Sequence, residues 1–330
     1  MLRRLLPVPV MHPVRLPPSI HLLEHDWLSA NSVVCLDDPD SASVIDTGHV
    51  VRCRQTCDGV RAALQGRRLL RIVNTHLHSD HCGGNSALQQ EHGGPAQCAI
   101  VVPAGELQAV NDWDESGLSF VQTGQQAQSF RAASSYADGD VLQLAGMAWQ
   151  VHAAAGHDNH ALMLFQPEAR LLISGDALWR YGFGVLFPEL DGSGEGFAGQ
   201  RRTLRRMQEL RPAAVIPGHG AAFDDVDAAL ARAHARLDLF EADPRRHAWH
   251  ALRVLLKFHL LEQESMVPLS QLRQWFVSTS LVRATVRNHG QGVDAEQAFA
   301  ECLEALLAGG AAVQRGAFVG DPQADAAESA

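Results

Sequence analysis

The chain has 330 residues, 46% of them hydrophobic and 19% charged, and a formal net charge of -10 with histidine neutral. These numbers fit a globular protein with one large domain and a smaller one, and a core of useful size. They make general binding to nucleic acid or to an anionic membrane a poor fit, because attraction to phosphate needs clustered lysine and arginine.

Lys257 is the only lysine, which excludes a Schiff base or a lysine carboxylate clamp from everything before it. Cys35, Cys53, Cys57, Cys82, Cys98 and Cys302 form no CxxC pair and read as reduced thiols, as in a cytoplasmic protein. No stretch approaches the roughly 20 apolar residues that span a bilayer.

In chain order, residues 1–18 read as a loose lead-in interrupted by prolines. NSVVCL (31–36) and SVIDTG (43–48) read as neighbouring strands joined by an acidic turn, followed by a helix at DGVRAALQG. LLRIVNT (69–75) is a buried strand running into a histidine cluster. NSALQQEHG is a helix, QCAIVVP a strand and AGELQAVNDW a helix. Residues 114–136 read as a polar loop. DVLQLAG, MAWQVHA, ALMLFQ and RLLISGD follow as closely spaced strands, then a helix at GQRRTLRRMQELRP and a strand at AAVIPGHG.

After Pro244 the pattern turns helical: RRHAWHALRVLLKFHLLEQE, PLSQLRQWFVST and DAEQAFAECLEALLAGG, then a hairpin at AAVQRGAFVG. Three helices and a hairpin make a winged-helix-like unit. The expected division is 19–242 for a mixed α/β layered domain, 243–319 for the small, mainly helical domain, and 320–330 for a disordered tail.

The chemistry sits in THLHSDHCGGN (75–85), at the end of a predicted strand. His76, His78, Asp80 and His81 offer imidazole and carboxylate donors of the kind a borderline metal such as zinc prefers. A lone histidine is usually a surface or satisfied core residue. Four such groups at this spacing would be costly to desolvate without a metal. His76 and His78 alternate on an extended segment and so point the same way, while Asp80 and His81 can face a second ion. Gly83 and Gly84 permit a tight turn into the next helix. His157, Asp176 and His219 each follow an apolar strand at a strand-to-loop junction and complete the set.

This constellation resembles the metallo-β-lactamase superfamily in its glyoxalase II-like, dinuclear branch, over about residues 19–224. The resemblance implies an αββα sandwich with two divalent ions at one edge, zinc first, with iron or manganese as alternatives. It assigns His76, His78 and His157 to the first ion, Asp80, His81 and His219 to the second, and Asp176 to the bridge between them. Asp46, in VIDTG, matches the family aspartate that supports the ligand loop from behind, since metal-bound imidazoles need a carboxylate partner to orient them. Asp80 would also orient the attacking water, which a metal pair activates by lowering its pKa. The other histidines read as ordinary, although His160 is a candidate to touch substrate. Cys82 is expected to pack beneath the loop.

The segment after Asp176, WRYGFGVLFPELDGSGEGF, reads as a substrate loop in which Trp179, Tyr181, Phe183 and Phe187 supply apolar surface. Packing the loop down is the competing reading of those aromatics. An apolar lip suits a small-molecule acyl substrate, so a thioester ranks first and a lactone second. The lactonases of the family often carry a tyrosine where this chain has Trp179. Nuclease or phosphodiesterase action fits the metals and the winged-helix-like end, but not the acidic charge. Iron-dependent sulfur dioxygenation uses a closely similar histidine set, and histidine and carboxylate also suit iron. The helical unit reads as a cover for the main domain or a homodimer contact ahead of a reader of DNA.

Overall fold

The computed structural model describes residues 14–323. The first thirteen residues and the last seven, part of the expected lead-in and tail, lie outside the described residues.

Two sheets carry the architecture. The first contains β1 (Ile20–Leu23), β2 (Ser32–Leu36), β3 (Ser41–Ile45), β4 (Arg68–Val73), β5 (Ala99–Pro103) and β6 (Ser134–Tyr136), hydrogen-bonded in that order. Strands β1 to β3 pair antiparallel, whereas β3 to β6 pair parallel. The second contains β7 (Val141–Leu144), β8 (Met147–Ala153), β9 (Leu162–Gln166), β10 (Leu171–Gly175) and β11 (Ala214–Pro217), in the order β11-β10-β9-β8-β7. Only β10 and β11 run parallel there.

The two-residue period of a strand sorts side chains into layers. In β2, Val33 and Cys35 join an inter-sheet core with Trp149, Leu164 and Ile173, while Val34 and Leu36 face the opposite way. There they meet α1 (Cys53–Ala63), α3 (Asn85–Glu91) and α4 (Leu107–Asp112) through Val60, Leu88 and Val110. On the outer face of the second sheet, Leu172 and Val215 pack with Leu204 of α7 (Gly196–Leu210) and Leu237 of α8 (Val226–Ala242). Helices, sheet, sheet and helices thus stack in four layers. Shorter helices are α2 (Ser79–Cys82), α5 (Phe120–Thr123) and α6 (Phe187–Asp191).

A separate core follows. It gathers α9 (Pro244–Glu262), β12 (Val267–Pro268), α10 (Leu269–Ser278), α11 (Ser280–His289), α12 (Ala295–Ala308), β13 (Val313–Arg315) and β14 (Phe318–Gly320) around Leu252, Leu256, Phe276 and Phe299. The small sheet has the order β12-β14-β13.

Four elements stand out against the sequence reading. α11 is a fourth helix in this region. Its β-branched Val282, Thr285 and Val286 weaken its helix propensity, and burial against the core overrides that. β6 and α5 lie inside the stretch 114–136 expected to be loop; β6 has only three residues and pairs at the sheet edge. β1 precedes the first expected strand and pairs with β2.

One buried link joins the helical part to the loop after β3. His49 Nε2 lies 3.2 Å from Glu262 Oε1 at the end of α9, and the other Glu262 oxygen lies 3.2 Å from His259 Nδ1. Burial alone would raise the Glu262 carboxyl; hydrogen bonds from His259 and His49 outweigh it and hold the pKa below the ordinary value. A depressed carboxylate pKa contributes stability above the unfolded pKa and loses it as pH falls through the folded one. Glu262→Ala leaves the buried His49 ring without this partner. It is expected to lower stability by about 1–3 kcal/mol at neutral pH, read as a fall in the urea midpoint with the slope unchanged. The gap between wild type and Glu262→Ala is expected to close in acid.

Candidate metal centre

The parallel pairing of β3 with β4, and of β10 with β11, brings their C-terminal ends together at one edge of the sandwich. Ligand sites of open α/β sheets favour this position, because the chain leaves each strand there as a free loop. Asp46 follows β3, His76 to His81 follow β4, Asp176 follows β10 and His219 follows β11. His157 lies in the connection between β8 and β9.

The seven side chains named from the sequence meet as two adjoining groups. One holds His76, His78 and His157; the other holds Asp80, His81, Asp176 and His219. His76 Nε2 lies 3.0 Å from His78 Nδ1, which lies 2.7 Å from His157 Nε2. Two nitrogens on one tetrahedral zinc, each at about 2.0–2.1 Å, would sit about 3.3 Å apart, so a small outward movement accommodates an ion. Asp176 joins the groups. Its Oδ1 lies 3.3 Å from His81 Nε2 and its Oδ2 lies 3.4 Å from His157 Nε2. His219 Nε2 is 3.1 Å from Asp80 Oδ2 and 3.8 Å from Asp176 Oδ1.

Asp46 fixes the ligand loop from behind. Its Oδ1 accepts from the Thr75 amide at 2.8 Å, and its Oδ2 accepts from Thr75 Oγ1 and His81 Nδ1, both at 2.7 Å. The His81 proton is thereby held on Nδ1, and Nε2 faces Asp176. Asp46 adopts a φ of 56°, a left-handed conformation uncommon outside glycine, while its side chain makes all three contacts. His157 is oriented likewise, its Nδ1 donating to the Val185 carbonyl at 2.5 Å.

Burial, followed by neighbouring imidazoles, pushes His76 well below its usual pKa. Burial brings His78 and His157 to about 4. These three rings are therefore neutral, with lone pairs available, at physiological pH. His81 shows the opposite balance: burial would lower it, but Asp46, Asp176 and Asp80 together raise it well above the normal range. The imidazoles answer in kind: His81 and His219 overcome burial at Asp80, lowering it to about 2, and with His157 they hold Asp176 well below the carboxylate range.

The donor set fits a pair of cations. Neutral imidazoles converge in one group, and carboxylates converge on a single buried imidazole in the other. His81 Nε2 is buried and makes no hydrogen bond. A dication there would satisfy the excess negative charge and the free nitrogen together.

Several supporting residues were given no role from sequence. Asn85 Nδ2 donates to Asn74 Oδ1, Thr47 Oγ1 donates to Asn85 Oδ1, and Asn74 Nδ2 donates to the His81 carbonyl. Tyr136 donates to the Asn74 carbonyl at 2.7 Å. Asn31 holds the His219 loop through the carbonyls of Pro217 and Gly220. Gln200 and Thr203 of α7 donate to the carbonyls of Ala177 and Ala155, tying down the loops that carry Asp176 and His157. Small amides and hydroxyls such as these carry no pattern of their own. The asparagine that closes THLHSDHCGGN was the one available signal. Gly84 and Gly218 are needed for close approach: a Cβ would stand 2.4 Å from the Thr47 carbonyl oxygen and 2.2 Å from Asp176 Oδ1, respectively.

The two groups open into a cleft of about 540 Å³. Trp179, Tyr181, Phe183 and Phe187 all line it, although Phe183 is almost fully buried and Tyr181 is 72% exposed. Trp179 also donates from Nε1 to Asp176 Oδ1 at 3.2 Å. His160, the other candidate to touch substrate, is not among the residues that line the cleft. It is exposed and packs over Gly105, where a Cβ would stand 2.1 Å from its ring. Cys82 is buried beneath the loop as expected, its thiol 3.5 Å from the Leu77 carbonyl. The remaining wall was unforeseen. Trp27 stacks on His219, Gln125 lies nearby, and α8 and α9 contribute Arg236, His250, Val254 and Phe258.

A four-layer sandwich with paired His/Asp groups at one edge defines a class of metal-binding protein. The family model of the metallo-beta-lactamase superfamily matches residues 25–219, and the chain belongs to that superfamily. Among curated proteins it is similar to the hydroxyacylglutathione hydrolase of Rhodobacter capsulatus, 31% identical over 201 residues, covering 60% of each chain. It is also similar to the hydroxyacylglutathione hydrolase of Methylococcus capsulatus, 28% identical over 195 residues, covering 58% of this chain and 62% of that one. The match thus spans about 60% of the length of these relatives. A metallo-beta-lactamase family protein from Thermus thermophilus shares the fold with a TM-score of 0.54 at 18% identity, over 93% of this chain and 100% of that one. A metallo-beta-lactamase from Cronobacter sakazakii does so with a TM-score of 0.53 at 15% identity, over 68% and 92%.

Asp46→Asn retains size but removes the charge that orients His81. Loss of such an outer carboxylate typically weakens metal binding about 10–100-fold. That range is expected here, measured by competition with a chromophoric chelator.

Proposed function

We propose that the protein is a metal-dependent hydrolase whose substrate is a thioester. The observation that carries this reading is Asp176, which faces both ligand groups at the mouth of an apolar, aromatic cleft. The curated relatives named hydroxyacylglutathione hydrolase support the thioester over other acyl bonds.

His76, His78 and His157 would hold one ion, Asp80, His81 and His219 the other, with Asp176 shared between them. A bound pair of divalent ions, zinc first, supplies acidified water and Lewis-acid polarisation of a carbonyl oxygen.

The chain's own side chains then set the direction of attack. Asp80, ionised with a pKa of about 2, accepts a hydrogen bond from the attacking water and orients it. Trp179 Nε1 donates to Asp176 Oδ1 and restrains the shared carboxylate where it borders the cleft. Phe187 packs edge-on to His78, with ring centroids 5.1 Å apart, and lies 5.5 Å from the His157 ring. It presents an apolar surface for an acyl group and excludes bulk water beside the ligands.

Two measurements on protein purified without added metal test the proposal: metal content and turnover of acyl thioesters, lactones and phosphodiesters. Near two zinc ions per chain are expected, with thioester turnover reduced at least about 1,000-fold in His78→Ala by loss of the ion that polarises the carbonyl. One iron per chain, with oxygen consumed on a persulfide and no hydrolysis, would overturn the hydrolase reading.

A further inference from the structure

The charged side chains around the cleft are matched, with one exception. Asp26 accepts from Arg52 Nε at 3.2 Å, and Arg180 pairs with Asp225 at 3.0 Å. Asp80 and Asp176 belong to the ligand set. Arg236 alone lines the cleft without a carboxylate partner among the described residues.

Its surroundings hold the guanidinium in place without neutralising it. Nη2 is 2.7 Å from His250 Nε2. The guanidinium lies over the rings of Phe183 and Phe240, at 5.5 and 5.2 Å from their centroids. Burial, with Arg236 and Arg253 nearby, lowers His250 to about 4. The ring is therefore a neutral acceptor at physiological pH and brings no negative charge. A guanidinium has five N–H donors and does not deprotonate in proteins, so most of its binding capacity stays open. Burying a charge without an ionic partner is unfavourable, and cation–π contacts offset only part of that cost.

The position is set by the loop after Asp176. A Cβ on Gly184 would stand 2.5 Å from His157 Nδ1, and one on Gly182 would stand 2.5 Å from Arg236 Nη1. Two residues of extended chain span at most about 7 Å, which puts the guanidinium on the order of 10 Å from the ligand groups. Val254 and Leu255 of α9 and Phe187 line the same cleft.

We propose that Arg236 is an anion subsite, oriented by His250, that selects substrates carrying a carboxylate or phosphate beyond a short apolar spacer from the scissile bond. The substrate chemistry rests on the hydrolase reading above; the subsite itself does not. A planar guanidinium pairs two donors with two oxygens of either anion, giving charge and geometry together.

Two matched pairs of thioesters test this on the full-length, zinc-loaded protein. S-glutaryl against S-pentanoyl N-acetylcysteamine places the anion on the acyl side. S-pentanoyl 4-mercaptobutanoate against S-pentanoyl butanethiol places it on the thiol side. In wild type the anionic member of one pair is expected to lead in kcat/KM by about tenfold or more, since a site built around a charge rejects the analogue lacking it. Arg236→Met is expected to bring that ratio near one, mainly through KM. Arg236→Lys should restore part of it, and His250→Leu should lower it while keeping the guanidinium. Calorimetric titration with the four matching thioethers, which have no bond to hydrolyse, gives a readout independent of turnover. Arg236-dependent thioether binding without thioester hydrolysis would uphold the subsite and sink the hydrolase reading. Equal ratios within both pairs in wild type, or a preference unchanged in both Arg236→Met and His250→Leu, would overturn the subsite.

Discussion

The geometry of the metal centre depends on the buried carboxylate of Asp46. It follows β3, accepts the Thr75 amide two residues after β4, and fixes the proton of His81. It therefore registers the ends of two parallel strands and the orientation of a ligand in one group of bonds. A backbone in the left-handed region is tolerated because the three contacts over-determine it. The asparagines and threonine around the loop extend the same hold to the carbonyl of His81.

The candidate donor set was legible in the sequence because four donors fall within six residues and three further ones each follow an apolar run, and the structure brings all seven into two adjoining groups. Short apolar runs bounded by turn residues likewise marked the strands, whereas the two-sheet sandwich came from the resemblance to the superfamily, since a strand buried on both faces, such as β2, shows no alternation. The limits were also physical. β6 is too short to show a period, and α11 hides behind β-branched residues that lower its propensity. His160 shares a loop with His157, but a neighbour in a turn can face the other way, and it rests on Gly105. The distant wall of the cleft was invisible. Val254 and Phe258 have the same helical spacing as core residues, and only tertiary packing decides which face meets the cleft.

The helical part serves the site rather than merely following it. α9 divides its surface between the C-terminal core, through Leu252 and Leu256, and the cleft, through Val254 and Phe258. Its last turn reaches the loop beside Asp46 through Glu262 and His49. The substrate wall and the loop behind the metal ligands are thus coupled through one helix. A change in the helical core can then alter the cleft without touching a ligand.

The division of His76, His78, Asp80 and His81 between two groups also bears on when the site can form as the chain folds. These four donors emerge together, but neither group is complete within that segment; the first waits for His157 and the second for Asp176 and His219. His157 and Asp176 come from loops of the second sheet, and His219 follows its last strand, so both groups close only when the two sheets have come together.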